Sequence, residues 1–162
     1  MLRVALLLLS AGTFACATVP SVSSSSPATA LYVAPFVDQT PGMRLGMVMT
    51  TTMQDHLYRR APGRFLVVFD DAAVAVDGTV LGISEINAPF SQPRKHDVIV
   101  RASAVLVDKR GRVRHQTGIV ERRARYELSA DQSENERRRD AALAIATTIV
   151  GRALVDAILR VP

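Results

Sequence analysis

Between Val98 and Val107 the chain alternates strictly. Val98, Val100, Ala102, Ala104 and Leu106 fall on one side, and Ile99, Arg101, Ser103, Val105 and Val107 on the other. A period of two over that length predicts a strand with one fully apolar face. Asp108-Lys109-Arg110-Gly111 then reads as a hairpin turn, with Gly111 suited to a left-handed position, and a return strand from Arg112 to about Tyr126. Together these strands predict a long antiparallel ribbon.

Upstream, Leu31 to Phe36 forms a short apolar run closed by Asp38-Gln39-Thr40-Pro41-Gly42, which predicts a strand leading into a helix. Thr40 with Pro41 offers an N-cap and a first-turn proline. Leu45, Val48, Met49, Thr52 and Leu57 follow on one helical face, and Ala61-Pro62-Gly63 ends that helix near Arg60. Arg64 to Phe69 reads as a second strand, broken by Asp70-Asp71, and Val76 to Glu85 as a third. Gly78 and Gly82 leave room there for a bulge or a close-packed neighbour. A loop from Asn87 to His96 holds Pro89, Pro93, Arg94 and Lys95. Near the end, Ser133-x-x-Glu136 reads as a capping box. Leu143, Ala146, Ile149, Val150, Ala153, Leu154, Ala157 and Ile158 recur at helical spacing, and the charged turns from Glu134 to Asp140 extend into solvent. The order of strand, helix, four strands, helix predicts an α+β domain. It is a two-layer sandwich with two amphipathic helices on one face of a mostly antiparallel four- to five-stranded sheet.

The amino-terminal segment changes the picture from a fold to an address. Arg3, the apolar run from Val4 to Leu9 and the mostly small residues up to Ala15 form an export signal, its core far shorter than the roughly 20 residues that cross a bilayer. The single cysteine, Cys16, follows at once, which excludes a disulfide within the chain. Thr13-Phe14-Ala15-Cys16 resembles a bacterial lipobox, with Thr13 where leucine is usual. The resemblance implies acylation of Cys16, anchoring through amino-terminal acyl chains and, with Ala17 next, sorting to the outer membrane. Ala15 and Ala17 also form an A-x-A site that would release a soluble chain from Thr18, and the mass of the mature terminus separates the two. The expected organisation is a signal over residues 1–15, a lipidated cysteine and Ser/Pro-rich tether over 16–30, and one folded domain over 31–162.

Charge and motifs narrow the chemistry. Twenty Lys+Arg against 15 Asp+Glu give +5, and arginine predominates. In an exported chain this points away from nucleic acid and toward anionic lipid, phosphorylated glycolipid or an acidic protein surface; plain solubility is the competing explanation. His56, His96 and His115 lack metal-site spacing and read as surface or boundary residues. Asp70 and Asp71 fit turn chemistry better than a cation site. There is no nucleophile elbow, phosphate loop or dinucleotide fingerprint, so neither catalysis nor a cofactor is expected.

From Leu31 to Leu159 the order of motifs resembles the LptE lipopolysaccharide-assembly family. The carriers are Val33-Ala34-Pro35-Phe36 followed by Asp38-Gln39-Thr40, then Gly63-Arg64-Phe65 and Asp77-Gly78-Thr79-Val80. Leu106-Val107-Asp108 with Gly111 comes next, ahead of Tyr126, Asp131, Glu134 or Glu136, Arg138, Ala141-Ala142-Leu143 and Ile149. Asp38 stands where asparagine is common, and His115-Gln116 lies near the place of a frequent tryptophan. The resemblance implies a lipid-anchored partner in the lumen of an outer-membrane β-barrel, LptD, that supports barrel assembly and delivery of lipopolysaccharide to the outer leaflet. It also implies lipopolysaccharide contact through basic residues. This chain's candidates are Lys109, Arg110 and Arg112 at the hairpin tip and Arg94 and Lys95 in the preceding loop, because guanidinium and ammonium groups suit phosphate. Charge at a hairpin end also prevents aberrant strand pairing, which is the plainer explanation of the same residues. The alternative function is a lipoprotein regulator of a cell-wall synthase or a curli-secretion-like assembly lipoprotein.

Overall fold

A computed structural model of the chain describes residues 30–40, 44–67, 72–88 and 94–160. Cys16, most of the proposed tether, Pro41, Asp70, Asp71, Pro89 and Pro93 lie outside the described residues. Among the described residues six strands and two helices follow one another as β1 (Leu31–Val33), β2 (Val37–Asp38), α1 (Leu45–Arg60), β3 (Phe65–Leu66), β4 (Val74–Ala88), β5 (Lys95–Asp108), β6 (Val113–Glu127) and α2 (Gln132–Leu159). The strands form one sheet in the order β3-β1-β4-β5-β6, with β2 also pairing β4.

The alternation read from sequence is realised in β5. Val98, Val100, Ala102, Ala104 and Leu106 are all buried under the helices. Burying each of the larger aliphatic side chains contributes about 1.5–3 kcal/mol. Both helices lie on this face, so the fold is the expected two-layer α+β sandwich. The sheet is larger than expected and mixed. β4-β5-β6 is antiparallel, whereas β1 pairs in parallel with both β3 and β4, and β2 in parallel with β4. Parallel pairing needs a crossover, and α1 supplies it between β1 and the strands that follow.

Local details depart from the expected caps. Thr40 does not cap α1, which begins at Leu45 behind Arg44 with no side-chain cap at that position. Asp38, at the end of β2, takes over from a distance: its Oδ2 accepts the Gly46 N–H at 3.0 Å while Oδ1 accepts the Thr40 N–H at 2.9 Å. In α2 the cap is Asp131, whose carboxylate accepts the Ser133 N–H at 2.8 Å, and not the Ser133–Glu136 box. Asn135 reaches back to Ser129, accepting its N–H at 2.6 Å and donating to its carbonyl at 3.0 Å.

The buried stripe of α1 is Leu45, Gly46, Met49, Met53 and Leu57, so Val48 is exposed; on α2, Ile149 likewise faces solvent. Both shifts arise because each helix packs on the other helix as well as on the sheet. Gly151 marks the crossing, where a Cβ would lie 3.0 Å from the Thr52 methyl. α2 is apolar and long enough to cross a membrane, with mean hydropathy 1.8, but half of that window is buried here, as befits a core helix. Its charged first turns are only partly in solvent, since Arg139 reaches Glu85 of β4 at 3.0 Å.

Expected irregularities appear where the glycines stand. The β4 ladder shifts register between Val80 and Gly82. Gly63, just past α1, has φ +97° and Gly111 has φ +75°, both left-handed. A second bulge, at Gly118 with φ +71°, interrupts β6 and was not expected from sequence.

Candidate functional site

The turn joining β5 to β6 is organised by one buried carboxylate. Asp108, 7% exposed, accepts the N–H groups of Arg110 (2.9 Å) and Arg112 (3.0 Å) on Oδ1, and its carbonyl accepts the Gly111 N–H at 2.9 Å. Oδ2 accepts Arg112 Nε at 2.9 Å and Arg114 Nε at 3.1 Å, with the Nη2 groups of the same residues at 2.8 and 3.1 Å. The backbone N–H of Arg112 leads the causes that hold the Asp108 carboxyl far below its usual range, against the opposing effect of burial. Lys109, Arg110, Arg112 and Arg114, with Asp108 and Ala73, line an open depression of about 480 Å³. Arg114 belongs to this group as fully as Arg112. The clue in the sequence is the spacing of two residues, which puts both on one side of an extended chain as it enters β6.

Arg94 and Lys95 are not part of it. Lys95 is the first residue of β5, not a loop residue, and pairs with Glu127 at 3.2 Å across to β6, while the Arg94 carbonyl accepts the Leu128 N–H. They stand at the opposite end of a 14-residue strand from Asp108, about 40 Å away at the rise of an extended chain. The sequence places both clusters beside turns, but only the tip cluster converges.

Two further polar groups fix the ribbon. On the helix-free face Asp97, 3% exposed, accepts Arg125 Nε at 2.6 Å and Nη2 at 3.0 Å, with Arg123 at 3.8 Å. The Arg125 hydrogen bond holds the Asp97 carboxyl below its ordinary value against the effect of burial. On the helix side Glu85 accepts from the Tyr126 hydroxyl and from Arg139, with His96 Nδ1 at 3.2 Å. Burial works to raise the Glu85 pKa, yet these three partners hold it down; burial first, and then the Glu85 bond, push Tyr126 up to about 12. His96 and His56 are boundary residues: His96 meets Glu85, whereas His56 Nε2 is buried with Asp156 3.6 Å away, beyond hydrogen-bond reach. Among the described residues no group of three or more metal-ligating side chains converges.

These shifts predict stability limits on both sides of neutrality. Asp97 and Glu85 titrate below their ordinary 3.8 and 4.5, so the stability they contribute is complete above those values and is lost as pH falls through the folded-state ones. Tyr126 titrates above its ordinary 10.0, so its contribution is complete below pH 10.0 and is lost as pH rises toward about 12. Urea midpoints between pH 2 and 12 should fall at both ends, and Tyr126→Phe should flatten the alkaline fall; an unchanged alkaline arm in that variant rejects the assignment.

Known proteins agree with this architecture. No curated protein matches the sequence. Among solved structures, the chain is similar to a minor lipoprotein from Acinetobacter baumannii at 14% identity, covering 83% of this chain and 95% of that one with TM-score 0.56. It is also similar to the rare lipoprotein B from Shewanella oneidensis at 8% identity, with coverages of 79% and 93% and TM-score 0.53. A PelC dodecamer from Paraburkholderia phytofirmans matches at 10% identity, 82% and 88% coverage and TM-score 0.51. At such identities these likenesses show the shared fold. The family is decided by the sequence: residues 28–157 match the LptE lipopolysaccharide-assembly family over most of the chain. This chain therefore belongs to the LptE family and acts in lipopolysaccharide assembly as a lipid-anchored, periplasm-facing protein of the outer membrane.

Proposed function

We propose that the protein partners an LptD-like outer-membrane β-barrel and contacts lipopolysaccharide through the β5–β6 hairpin tip. The carrying observation is the convergence of Lys109, Arg110, Arg112 and Arg114 on one depression around Asp108. Guanidinium and ammonium groups presented together suit the phosphates of a glycolipid. Within the tip the roles divide. Arg112 and Arg114 hydrogen-bond Asp108 through their side chains and shape the turn; Lys109 and Arg110 stand exposed at its crest, Arg110 meeting Asp108 through its backbone N–H. Arg94 and Lys95, at the far end of the ribbon, belong to a separate surface.

The proposed organisation keeps a signal over residues 1–15, an acylated Cys16 with a tether over 16–30, and the domain over 31–162. Ala30, just ahead of β1, is tied to the start of β4, since its carbonyl accepts the N–H groups of Ala73 and Val74. A 14-residue tether preceding it reaches at most about 50 Å when extended, enough to hold the domain near a bilayer and within a barrel mouth.

The test is binding of purified lipopolysaccharide by the Lys109→Ala/Arg110→Ala variant. Affinity should fall about tenfold, the loss of one or two charge-assisted contacts, with a melting temperature close to the parent. Arg112→Ala should instead lower the melting temperature. Undiminished binding by the double variant removes the tip from the proposal. Copurification with the barrel from detergent-solubilised outer membranes tests the partner separately; recovery with a cell-wall synthase instead would favour the regulator reading.

A further inference from the structure

The two edges of the sheet are unequal. One is β3, two residues long, and the other is β6, 15 residues long, with no described strand beyond it. The Leu128 N–H donates to the Arg94 carbonyl, which sets the phase of the ladder. With the register from Lys95–Glu127 to Ser103–Ile119, the bonded pairs are His96–Tyr126, Val98–Ala124, Val100–Arg122 and Ala102–Val120. The backbone groups of Glu121, Arg123, Arg125 and Glu127 therefore point away from the sheet.

Charged side chains commonly protect such an edge, but here they are drawn back onto the protein. Arg125 and Arg123 lie toward Asp97, and Glu127 pairs with Lys95. Two outward carbonyls are already occupied, that of Glu121 by Arg122 at 2.7 Å and that of Glu127 by Arg138 at 3.1 Å. These caps bracket a short window at Arg123 and Arg125, whose N–H and C=O groups face outward with no described strand to meet them. Beside it, on the helix-free face, Ile119 is 68% exposed.

We infer that this window of β6 is a strand-acceptor site for a short extended segment of the barrel partner, one with an acidic side chain facing Arg123 or Arg125 and an apolar one facing Ile119. The main-chain bonds supply affinity and the alternate side chains supply selectivity, as in strand addition generally. The charge along this edge selects the occupant: on the helix-free face Lys95, Arg101, Arg123 and Arg125 stand against Asp97, Glu121 and Glu127, and Arg122 adds a further positive charge on the other side of β6, so an acidic strand is attracted and a second copy of the same edge brings like charge together. The inference rests on the barrel partnership proposed above and gives it a location.

Proline at an outward N–H removes a donor to the incoming strand and leaves the β5 ladder intact. The full-length lipoprotein, co-expressed with its LptD barrel, is compared as wild type, Arg123→Ala and Arg123→Pro. Arg123→Ala should retain at least half of the barrel recovery and Arg123→Pro should lose tenfold or more. Equal recovery by the two variants, with wild type also recovering the barrel, overturns the edge assignment alone; no recovery by wild type overturns the partnership and this inference together. Amide hydrogen exchange on the wild-type complex does not depend on the proline variant folding. The Glu121, Arg123 and Arg125 amides should exchange at least tenfold more slowly in the complex than in the isolated lipoprotein. Unchanged rates overturn the proposal, as does equal protection of these amides in the isolated protein at high concentration, which would assign the edge to a second copy.

Discussion

Gly78→Val should cost about 3–5 kcal/mol, the range expected when a large buried aromatic loses its site, and lower the melting temperature by about 10 °C or more. The Phe36 ring lies directly on Gly78: a Cβ there would sit 2.0 Å from Cζ and 2.1 Å from Cε1. Phe36 is 6% exposed and part of the main core, so the ring cannot swing aside without exposing apolar surface or displacing its neighbours. Because both changes abolish one contact, Phe36→Ala should cost a similar amount, and the double variant much less than the sum. Thermal and urea unfolding of the four proteins measure the coupling; strictly additive costs would show that Phe36 and Gly78 do not act as a unit.

Gly46→Ala should destabilise by about 1–3 kcal/mol, although alanine is the better helix former by about 1 kcal/mol. The sign is the informative part. A Cβ at Gly46 would lie 2.5 Å from the carbonyl oxygen of Phe36 and 3.2 Å from the Asp38 Cβ. The carbonyl belongs to backbone held by Thr50, whose Oγ1 accepts the Phe36 N–H at 2.9 Å and donates to the Gly46 carbonyl at 2.8 Å. α1 must therefore retreat, which stretches the Asp38–Gly46 hydrogen bond that starts the helix. Thr51→Ala, at an exposed helical position, is the control and should be neutral or slightly stabilising. A stabilised Gly46→Ala protein would mean that the approach of helix and loop is looser than described.

Both predictions concern the segment from Phe36 to Gly46, where local reading gave only part of the answer. The sequence suggests a turn with a Thr40 cap because threonine before proline is a familiar local signal. It carries no trace of Asp38 serving a helix eight residues ahead, since that bond depends on β2 lying against β4. Ser133-x-x-Glu136 misleads in the same way. Asp131, Ser133 and Asn135 are all competent to cap, and the path of the chain out of β6 decides in favour of Asp131.

Tip and edge differ in the same respect. Lys109, Arg110 and Arg112 share a turn, so adjacency in sequence becomes adjacency in space; Arg94 and Lys95 flank the same strand and are carried to its other end. The acceptor window of β6 depends on which strand is outermost and on the phase of its hydrogen bonds, neither of which is a property of the arginines themselves.

The sequence by itself determined the elements whose cause is local. The alternation at Val98–Leu106 makes β5 a one-faced strand, Gly111 closes its hairpin, the apolar spacing after Leu143 makes α2, and the ordered motifs along residues 28–157 carry the family. Tertiary structure alone decided the parallel insertion of β1 between β3 and β4, the burial of Met53 in place of Val48, and the exposure of Ile149. It also decided the seating of Phe36 on Gly78, the use of Asp108 to gather Arg112 and Arg114, and the open edge at Arg123 and Arg125. The physical reason is range: periodicity and turn chemistry act over a few residues, whereas register, helix crossing and edge position arise from contacts between segments far apart in the chain, whose free energies are realised only when all of them pack together.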